Sequence, residues 1–381
     1  MRTAELDYEL PRACIAQEPI EPRDAARLLV ARGVSRHPGD GGPLARVASH
    51  SAESHSAESD SAESDSVDVS HRVVRELPEL LDPGDLLVIN TTKVLPSRVQ
   101  ISRSGGGSGE VLLLEDRGDG SWEALCRPSR KLPEGCAAES LAGNIRFEFG
   151  GDLGEGRRVV RPTVRARPGG FGHHDPELLR ALERDGEMPL PPYIHARIAD
   201  ASRYQTTFAE RPGSAAAPTA GLHLTAELLE AIRERGIGVA PVELVVGLDT
   251  FRPVSTEMLA DHVIHTEHYR VPEQTWHDVG ATHIAGGRVV AVGTTTTRAL
   301  ESVAHTGDLA GRTSLFITPG FDFRVVDRLL TNFHLPRSSL LAMIEAFVGP
   351  QWRGLYATAI DEGYRFLSFG DAMLLDRRVQ R

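Results

Sequence analysis

Cysteine is scarce. The 381 residues hold three, Cys14, Cys126 and Cys136. They are odd in number and scattered, and no two form a C-x-x-C pair, so neither a disulfide framework nor a paired-cysteine metal or redox motif is expected. Long apolar runs are also missing. None reaches the roughly 18 residues that a membrane span requires. The first residues carry Glu5, Asp7 and Glu9 and no apolar signal core, so a cytoplasmic protein with no membrane association is expected. Positive charge is in deficit, with a net charge of −11. That argues against bulk attraction to nucleic acid. Part of the deficit is local. Residues 51–70 hold six acids (Glu53, Glu58, Asp60, Glu63, Asp65, Asp68) and no Lys or Arg, and without them the net charge is −5. Any RNA contact must therefore use a local patch rather than the global field.

What remains is an ordinary globular composition, 40% hydrophobic and 25% charged, in a chain long enough for two or three domains. Ser51 to Asp65 reads SAESH, SAESD, SAESD. That repeat has no large apolar residue, so burial cannot offset the entropy of ordering it. Residues 33–70 are expected to be a disordered, acidic, low-complexity insertion. After it, the turn Asp82-Pro-Gly-Asp85 leads into the apolar run LLVIN, a buried strand. Short strand-like runs continue through residue 168 with Gly-, Asp- and Pro-rich turns between them. Their spacing predicts a small β-barrel or sandwich over 71–168.

From about residue 175 the pattern becomes strand–helix alternation. Asp175 can cap a helix with Leu178, Leu179 and Leu182 on one face. Thr225 can cap another, ended by Gly236. The runs VAPVELVVG and RVVAVG read as buried strands. A layered α/β domain over 1–32 and 169–381 is expected, with the barrel inserted in it.

Four loops beside apolar strands carry polar, Gly and Pro residues, where α/β sheets place ligands. The first, 215–223, offers Thr219 and His223 just before a helix; a tight capped loop is the competing reading. The second holds Gly247 and then His262-Val-Ile-His265-Thr-Glu267. Its histidines lie at i and i+3 with no Glu between, unlike a zinc-protease helix, so no metal is expected. His265 and Glu267 would face one side of a strand. The third, 291–298, is a strand, a Gly and a run of threonines opening a helix, ending at Arg298. Such a start can hold an anion, or the threonines can simply cap. The fourth, 330–339, brackets Asn332, His334 and Ser338.

Nine ordered stretches carry a resemblance: YELPRACIAQEPIEPRDAARLLV, LLDPGDLLVINTTKVLPSRV, GEMPLPPYI, RYQTTFAERPGSAAAPTAGLHLT, DTFRPV, HVIHTEHY, VGTTTTRALES, FITPGFDFRVVDRLLTNFHLPRSSLL and YRFLSFGDAML. On these the chain resembles the S-adenosylmethionine:tRNA ribosyltransferase-isomerases of queuosine biosynthesis. The resemblance implies a three-layer α/β/α domain interrupted by a small β-barrel. It implies S-adenosylmethionine as co-substrate, no bound cofactor, and a tRNA with a GUN anticodon as partner. The reaction implied moves the ribosyl unit onto 7-aminomethyl-7-deazaguanine at the wobble position. Epoxyqueuosine forms, and adenine and methionine leave. The matched motifs place substrate contacts at Arg23 and Asp24, and at Asn90, Thr92 and Arg98. They continue at Pro218, Thr219 and Gly221, at Gly247, Thr250 and Phe251, and at Gly293, Thr294, Thr295 and Arg298. The last are Asn332, Phe333, Ser338 and Arg365.

Two positions depart from the family pattern. Val245 stands where it has a histidine, and Asp249 where it has a glycine. The first removes a donor/acceptor and the second adds bulk and charge. A paralogue with a different acceptor, or a catalytically silent RNA-binding protein, are the alternatives.

The chemistry needs a proton-transfer group with a pKa near 7. His223 or His265 is the candidate, with Glu267 orienting the imidazole or pairing with a cation, and His334 in reserve. Thr294, Thr295 and Arg298 are expected to hold the methionine carboxylate. Arg127, Arg130 and Lys131 form a basic turn for RNA phosphate, and Arg157, Arg158, Arg161, Arg165 and Arg167 a second basic stretch. A solvated strand face is the competing reading of both.

Overall fold

The run LLVIN shows how the main sheet is built. Along Leu86–Asn90, strand periodicity sends Leu86 and Val88 to one side and Leu87 and Ile89 to the other. Both sides are apolar and buried, the two pairs packing into different cores. A strand apolar on both faces belongs at the centre of a covered sheet.

The computed structural model describes residues 1–33, 67–103, 105–164, 175–196, 198, 200–247 and 253–378. In chain order the elements begin β1 (Arg27–Gly33), β2 (Val67–Val73), helix α1 (Leu77–Leu80), β3 (Leu86–Asn90) and β4 (Thr92–Val94). Six strands follow: β5 (Arg98–Arg103), β6 (Ser108–Asp116), β7 (Trp122–Arg127), β8 (Ala137–Ser140), β9 (Ile145–Gly154) and β10 (Arg157–Val164). Then come α2 (Pro176–Asp185), β11 (Gly186–Glu187), β12 (Arg211–Ser214), α3 (Ala226–Glu234), β13 (Gly238–Leu244) and β14 (Glu267–Arg270). The remainder is α4 (Glu273–Ile284), β15 (Val289–Val292), α5 (Thr294–Thr306), β16 (Ala310–Thr313), β17 (Arg328–Asn332), α6 (Ser339–Val348), α7 (Trp352–Asp361) and β18 (Ala372–Asp376).

Nine strands form one sheet in the order β16-β14-β13-β3-β15-β17-β18-β1-β2. Its centre, β13-β3-β15-β17, is parallel. One face packs under α4 to α7, with Val279, Leu300, Phe347 and Trp352 in its core. The other packs under α1 and α3, with Leu77, Leu228 and Ile232. This is the α/β/α arrangement the resemblance implied. Thr225 caps α3 by accepting from the Leu228 amide, and Gly236 ends that segment at φ +76°.

The barrel strands differ in texture. Along β10 every second residue is buried. Strands β5-β6-β7-β10-β9-β8 close on β5, leaving no edge between them. Val99, Val111, Trp122, Phe147 and Val160 fill the interior. Asp175 caps α2, accepting from the Glu177 and Leu178 amides, and that helix lays Leu178, Ala181 and Leu182 on the same interior.

The expected boundaries shift accordingly. Residues 71–90 belong to the main sheet, because the LLVIN run is apolar on both faces. Helix α2, expected in the α/β domain, covers the barrel. Residues 67–70, expected in the insertion, are paired strand, with Gly33 opposite Val67. The rest of the expected insertion, 34–66, lies outside the described residues. Among the described residues no helix is long and apolar enough to cross a membrane.

Candidate active site

The four parallel strands end along one edge, and the chain supplies polar groups there. Asn90, the last residue of β3, is buried and ties neighbouring ends together. Its Nδ2 donates to the Leu244 carbonyl (3.0 Å) and its Oδ1 accepts from the Leu244 and Thr92 amides (3.2 and 3.1 Å). Thr92 donates its hydroxyl to the same Leu244 carbonyl. Both residues thus hold strand ends beneath the site.

Helix α5 starts directly at the end of β15. Gly293 makes the bend at φ +89° and ψ 156°, backbone space that only glycine occupies comfortably. With glycine as N-cap no side chain caps the first amides, which leaves them open to a ligand at this helix start. Thr296 and Thr297 turn back and donate to the Val292 and Gly293 carbonyls. Thr294 and Thr295 instead line two cavities, one on each side, and are common to both.

The first cavity is narrow, walled by Val246, Phe333, Leu335, Leu340 and Leu367, with Tyr193, Thr219, Asn332, His334, Ser338 and Ser368 as its polar groups. Pro218 and Gly293 complete the wall. Asn332 Oδ1 accepts from the Thr219 hydroxyl (2.9 Å), and its Nδ2 donates to His223 Nε2 (3.3 Å). An Nε2 that accepts leaves the proton of a neutral ring on Nδ1. Burial pushes the His223 pKa down to about 4; a hydrogen bond to the Arg23 backbone opposes this without cancelling it. His223 therefore sits behind the cavity as a neutral support for Asn332. His334 faces the cavity and is likewise pushed down by burial, to about 3. Its Nε2 meets the Thr331 hydroxyl at 3.0 Å. Ser338 caps α6, accepting from the Leu341 amide.

The second cavity, about 390 Å³, is lined by Gly247, Asp261, His262, His265, Glu267, Arg298 and Phe316, and by Glu155 from the barrel. Glu267 and Arg298 are an almost fully buried ion pair at 2.5 Å. The other carboxylate oxygen accepts from the Gly247 amide (3.0 Å). Arg298 Nη2 donates to the carbonyls of His265 (2.8 Å) and Thr313 (3.0 Å). Both Nη groups are thus held by the protein, while the buried Nε has no partner among the described residues. His265 is exposed to the cavity and lies just before β14, whereas Glu267 begins it. Burial and its neighbour His265 lower the pKa of His262. Among the described residues no group of three or more His, Cys, Asp or Glu side chains could hold a metal.

Other expected contacts lie elsewhere. Arg98 pairs with Glu110 inside the barrel sheet (2.7 Å). Arg23 donates to the carbonyls of Gln205, Leu222 and Ser202, and Asp24 faces Arg75 at 3.8 Å. Arg365 donates to the Glu18 and Phe369 carbonyls. A Cβ on Gly221 would lie 2.8 Å from the Phe208 ring, which explains that glycine by packing. In each case a motif residue serves the fold that carries the site. Arg127, Arg130 and Lys131 are exposed on the barrel. Arg157 pairs with Glu123 and Arg158 with Asp152, and Arg161 donates to the Asp119 carbonyl. Asp249, Thr250, Phe251, Arg165 and Arg167 lie outside the described residues. Val245 lines neither cavity. It faces a separate cleft between the barrel and β14, with His268, Arg270 and Arg312.

Sequence reasoning passed over Tyr193, Ser368, Asp261 and Glu155. Tyr193 lay within the quoted stretch GEMPLPPYI, which carried no chemical signal. Glu155 stands in a Gly-Glu-Gly turn that reads as an ordinary hairpin.

Two neighbouring cavities outside the carboxyl ends of parallel strands, sharing an uncapped helix start as a wall, are the ligand-binding arrangement of an α/β enzyme. The comparisons specify which. Residues 47–375 match the family model described as queuosine biosynthesis protein. The S-adenosylmethionine:tRNA ribosyltransferase-isomerase of Rubrobacter xylanophilus is 48% identical over 98% of this chain and 98% of its own length. That of Moorella thermoacetica is 44% identical over 98% and 100%. The crystal structure of S-adenosylmethionine tRNA ribosyltransferase from Thermotoga maritima shares 33% identity, 97% of this chain, 99% of its own, and a TM-score of 0.51. The chain belongs to the S-adenosylmethionine:tRNA ribosyltransferase-isomerase family of queuosine biosynthesis and is an enzyme of the transferase–isomerase kind.

Proposed function

We propose that the chain moves the ribosyl unit of S-adenosylmethionine onto 7-aminomethyl-7-deazaguanine at the wobble position of a GUN-anticodon tRNA. The products are epoxyqueuosine, adenine and methionine. The observation that carries this reading is the pair of cavities that share Thr294 and Thr295 as a wall. One donor with two dissimilar ends, and an acceptor, need such a divided site.

The narrow cavity suits the adenosyl end: apolar walls for the base, with the Asn332 amide and the Thr219 and Ser368 hydroxyls for its polar edge and the ribose. The uncapped start of α5, with its two threonine hydroxyls, suits the methionine carboxylate. Because Arg298 is bound to Glu267, the amides and hydroxyls take that role without it. The second cavity takes the acceptor. The sulfonium acidifies the adjacent 5′ carbon, and His265, exposed there, takes the proton; adenine leaves in the steps that follow. His223 and His334, held neutral by burial, position the groups around them.

Incubation with S-adenosylmethionine and an anticodon stem-loop carrying the aminomethyl base tests the reading. Epoxyqueuosine formed with adenine release is the expected outcome. Binding of both without turnover would overturn it. The side chain of Val245 lines neither cavity, which favours the same acceptor.

A further inference from the structure

The narrow cavity holds a ring nitrogen with no protein partner among the described residues. His334 lies just after β17 and is buried, with its ring on the cavity wall. Its backbone is fixed on both sides. The Tyr8 hydroxyl donates to the His334 carbonyl, and the His334 amide donates to the Tyr356 hydroxyl (3.0 Å). Those two tyrosine rings pack edge to face at 5.1 Å, so an aromatic cluster holds the imidazole in place.

The contacts of the ring fix where its proton lies. Nε2 meets the Thr331 hydroxyl at 3.0 Å, the only side-chain hydrogen bond of either residue among the described residues. Thr331 is buried, and a buried hydroxyl hydrogen needs an acceptor. Nε2 is the acceptor it has. Burial keeps the imidazole neutral, so the single ring proton is on Nδ1. Nδ1 is not sealed in the interior and opens on the cavity. Other polar side chains of this wall are engaged: Thr219 with Asn332, Asn332 with His223, Tyr193 with Ser368, and Ser338 with the Leu335 carbonyl.

The surroundings of this donor are apolar. Phe333 and Leu335 flank it in sequence. The Leu367 amide donates to the Phe333 carbonyl (3.1 Å), which brings a third apolar side chain to the wall. Leu367 sits there at φ +71°, backbone space in which a bulky residue is an outlier. Strain of that kind at a ligand wall points to function. A solitary N–H among apolar walls suits a flat heteroaromatic ring: the walls take its faces and the donor takes one ring nitrogen.

We propose that His334 is a specificity residue for the purine of S-adenosylmethionine. Its Nδ1–H donates to one of the acceptor nitrogens of adenine, N1, N3 or N7. This rests on the adenosyl end occupying the narrow cavity, as proposed above.

Three analogues of S-adenosylmethionine, carrying 1-deaza-, 3-deaza- or 7-deazaadenine, replace each acceptor in turn by C–H. By calorimetry the parent is expected to bind at least one of them about tenfold more weakly, because that analogue leaves the donor unpaired. H334F and H334L remove the donor. In both, S-adenosylmethionine and that analogue should bind equally. Two results overturn the proposal. One is a parent that binds all three analogues as tightly as S-adenosylmethionine, a result that needs no variant to fold. The other is the same loss in a folded variant as in the parent, which assigns the hydrogen bond to another group. Turnover of the aminomethyl stem-loop by the parent tests the reaction itself, so a failure there is distinct from both.

Discussion

His223 and His334 are buried rings pushed down to about 4 and about 3. In the unfolded chain both titrate near the ordinary 6.5. Between that value and the folded ones, the unfolded state binds more protons. Stability is therefore complete above pH 6.5 and falls on acidification, by up to about 1.4 kcal/mol per pH unit for each ring. H334Q removes one of these sites. Urea midpoints measured from pH 7 to pH 5 should fall less steeply in that variant than in the parent, and equal slopes would contradict the burial argument. The Glu267–Arg298 pair makes a second case. Removing one partner of a buried ion pair strands the other and typically costs about 3–5 kcal/mol. R298A should lose that much in urea unfolding, and the double variant E267L/R298M should recover most of it. R298A with parent stability but weakened S-adenosylmethionine binding would return the guanidinium to an anion-holding role. None of this was visible in the motif VGTTTTRALES. Arg298 and Glu267 are 31 residues apart, and only the fold makes them partners.

Helix α5 shows what local sequence does reveal. A strand, a glycine and threonines announced a helix start, and α5 begins at Thr294. Asp175, Thr225 and Ser338 cap their helices by the same local logic. Local chemistry was less informative about which layer an element joins. The LLVIN strand follows the insertion and so reads with the barrel strands, although its two apolar faces mark it as central. The stripe of α2 was legible, but not that the barrel interior would receive it. The bend before α5 yields a further prediction. At φ +89° and ψ 156° an added Cβ is strained whatever the free space, at a cost of about 1–3 kcal/mol. G293A should either lose that stability or relax by shifting the first turn of α5. If that turn holds the methionine carboxylate, S-adenosylmethionine affinity falls by about tenfold or more when measured by calorimetry. A stable G293A with parent affinity would move the carboxylate elsewhere.

The two folding units divide the work in a way that charge makes testable. The sheet domain carries both cavities, and the barrel brings Glu155 to the second. With the chain at −11, RNA attraction has to be local, and several of the barrel's cations are already used. Arg157, Arg158 and Arg161 serve Glu123, Asp152 and the Asp119 carbonyl. The sequence could not separate these from the turn Arg127–Lys131, because spacing does not say which charges a barrel satisfies internally. Pairing within the barrel leaves Arg127, Arg130 and Lys131 as its exposed basic turn. Each phosphate contact on single-stranded RNA contributes about 0.7 to the slope of log affinity against log salt. Replacing all three by alanine should lower that slope by about 2 for a tRNA anticodon stem-loop, and S-adenosylmethionine affinity should not move. A parent-like slope would place the phosphate contacts on another face and leave this turn as solvated surface. A fall in S-adenosylmethionine affinity as well would mean that the turn supports the fold of the site rather than the RNA.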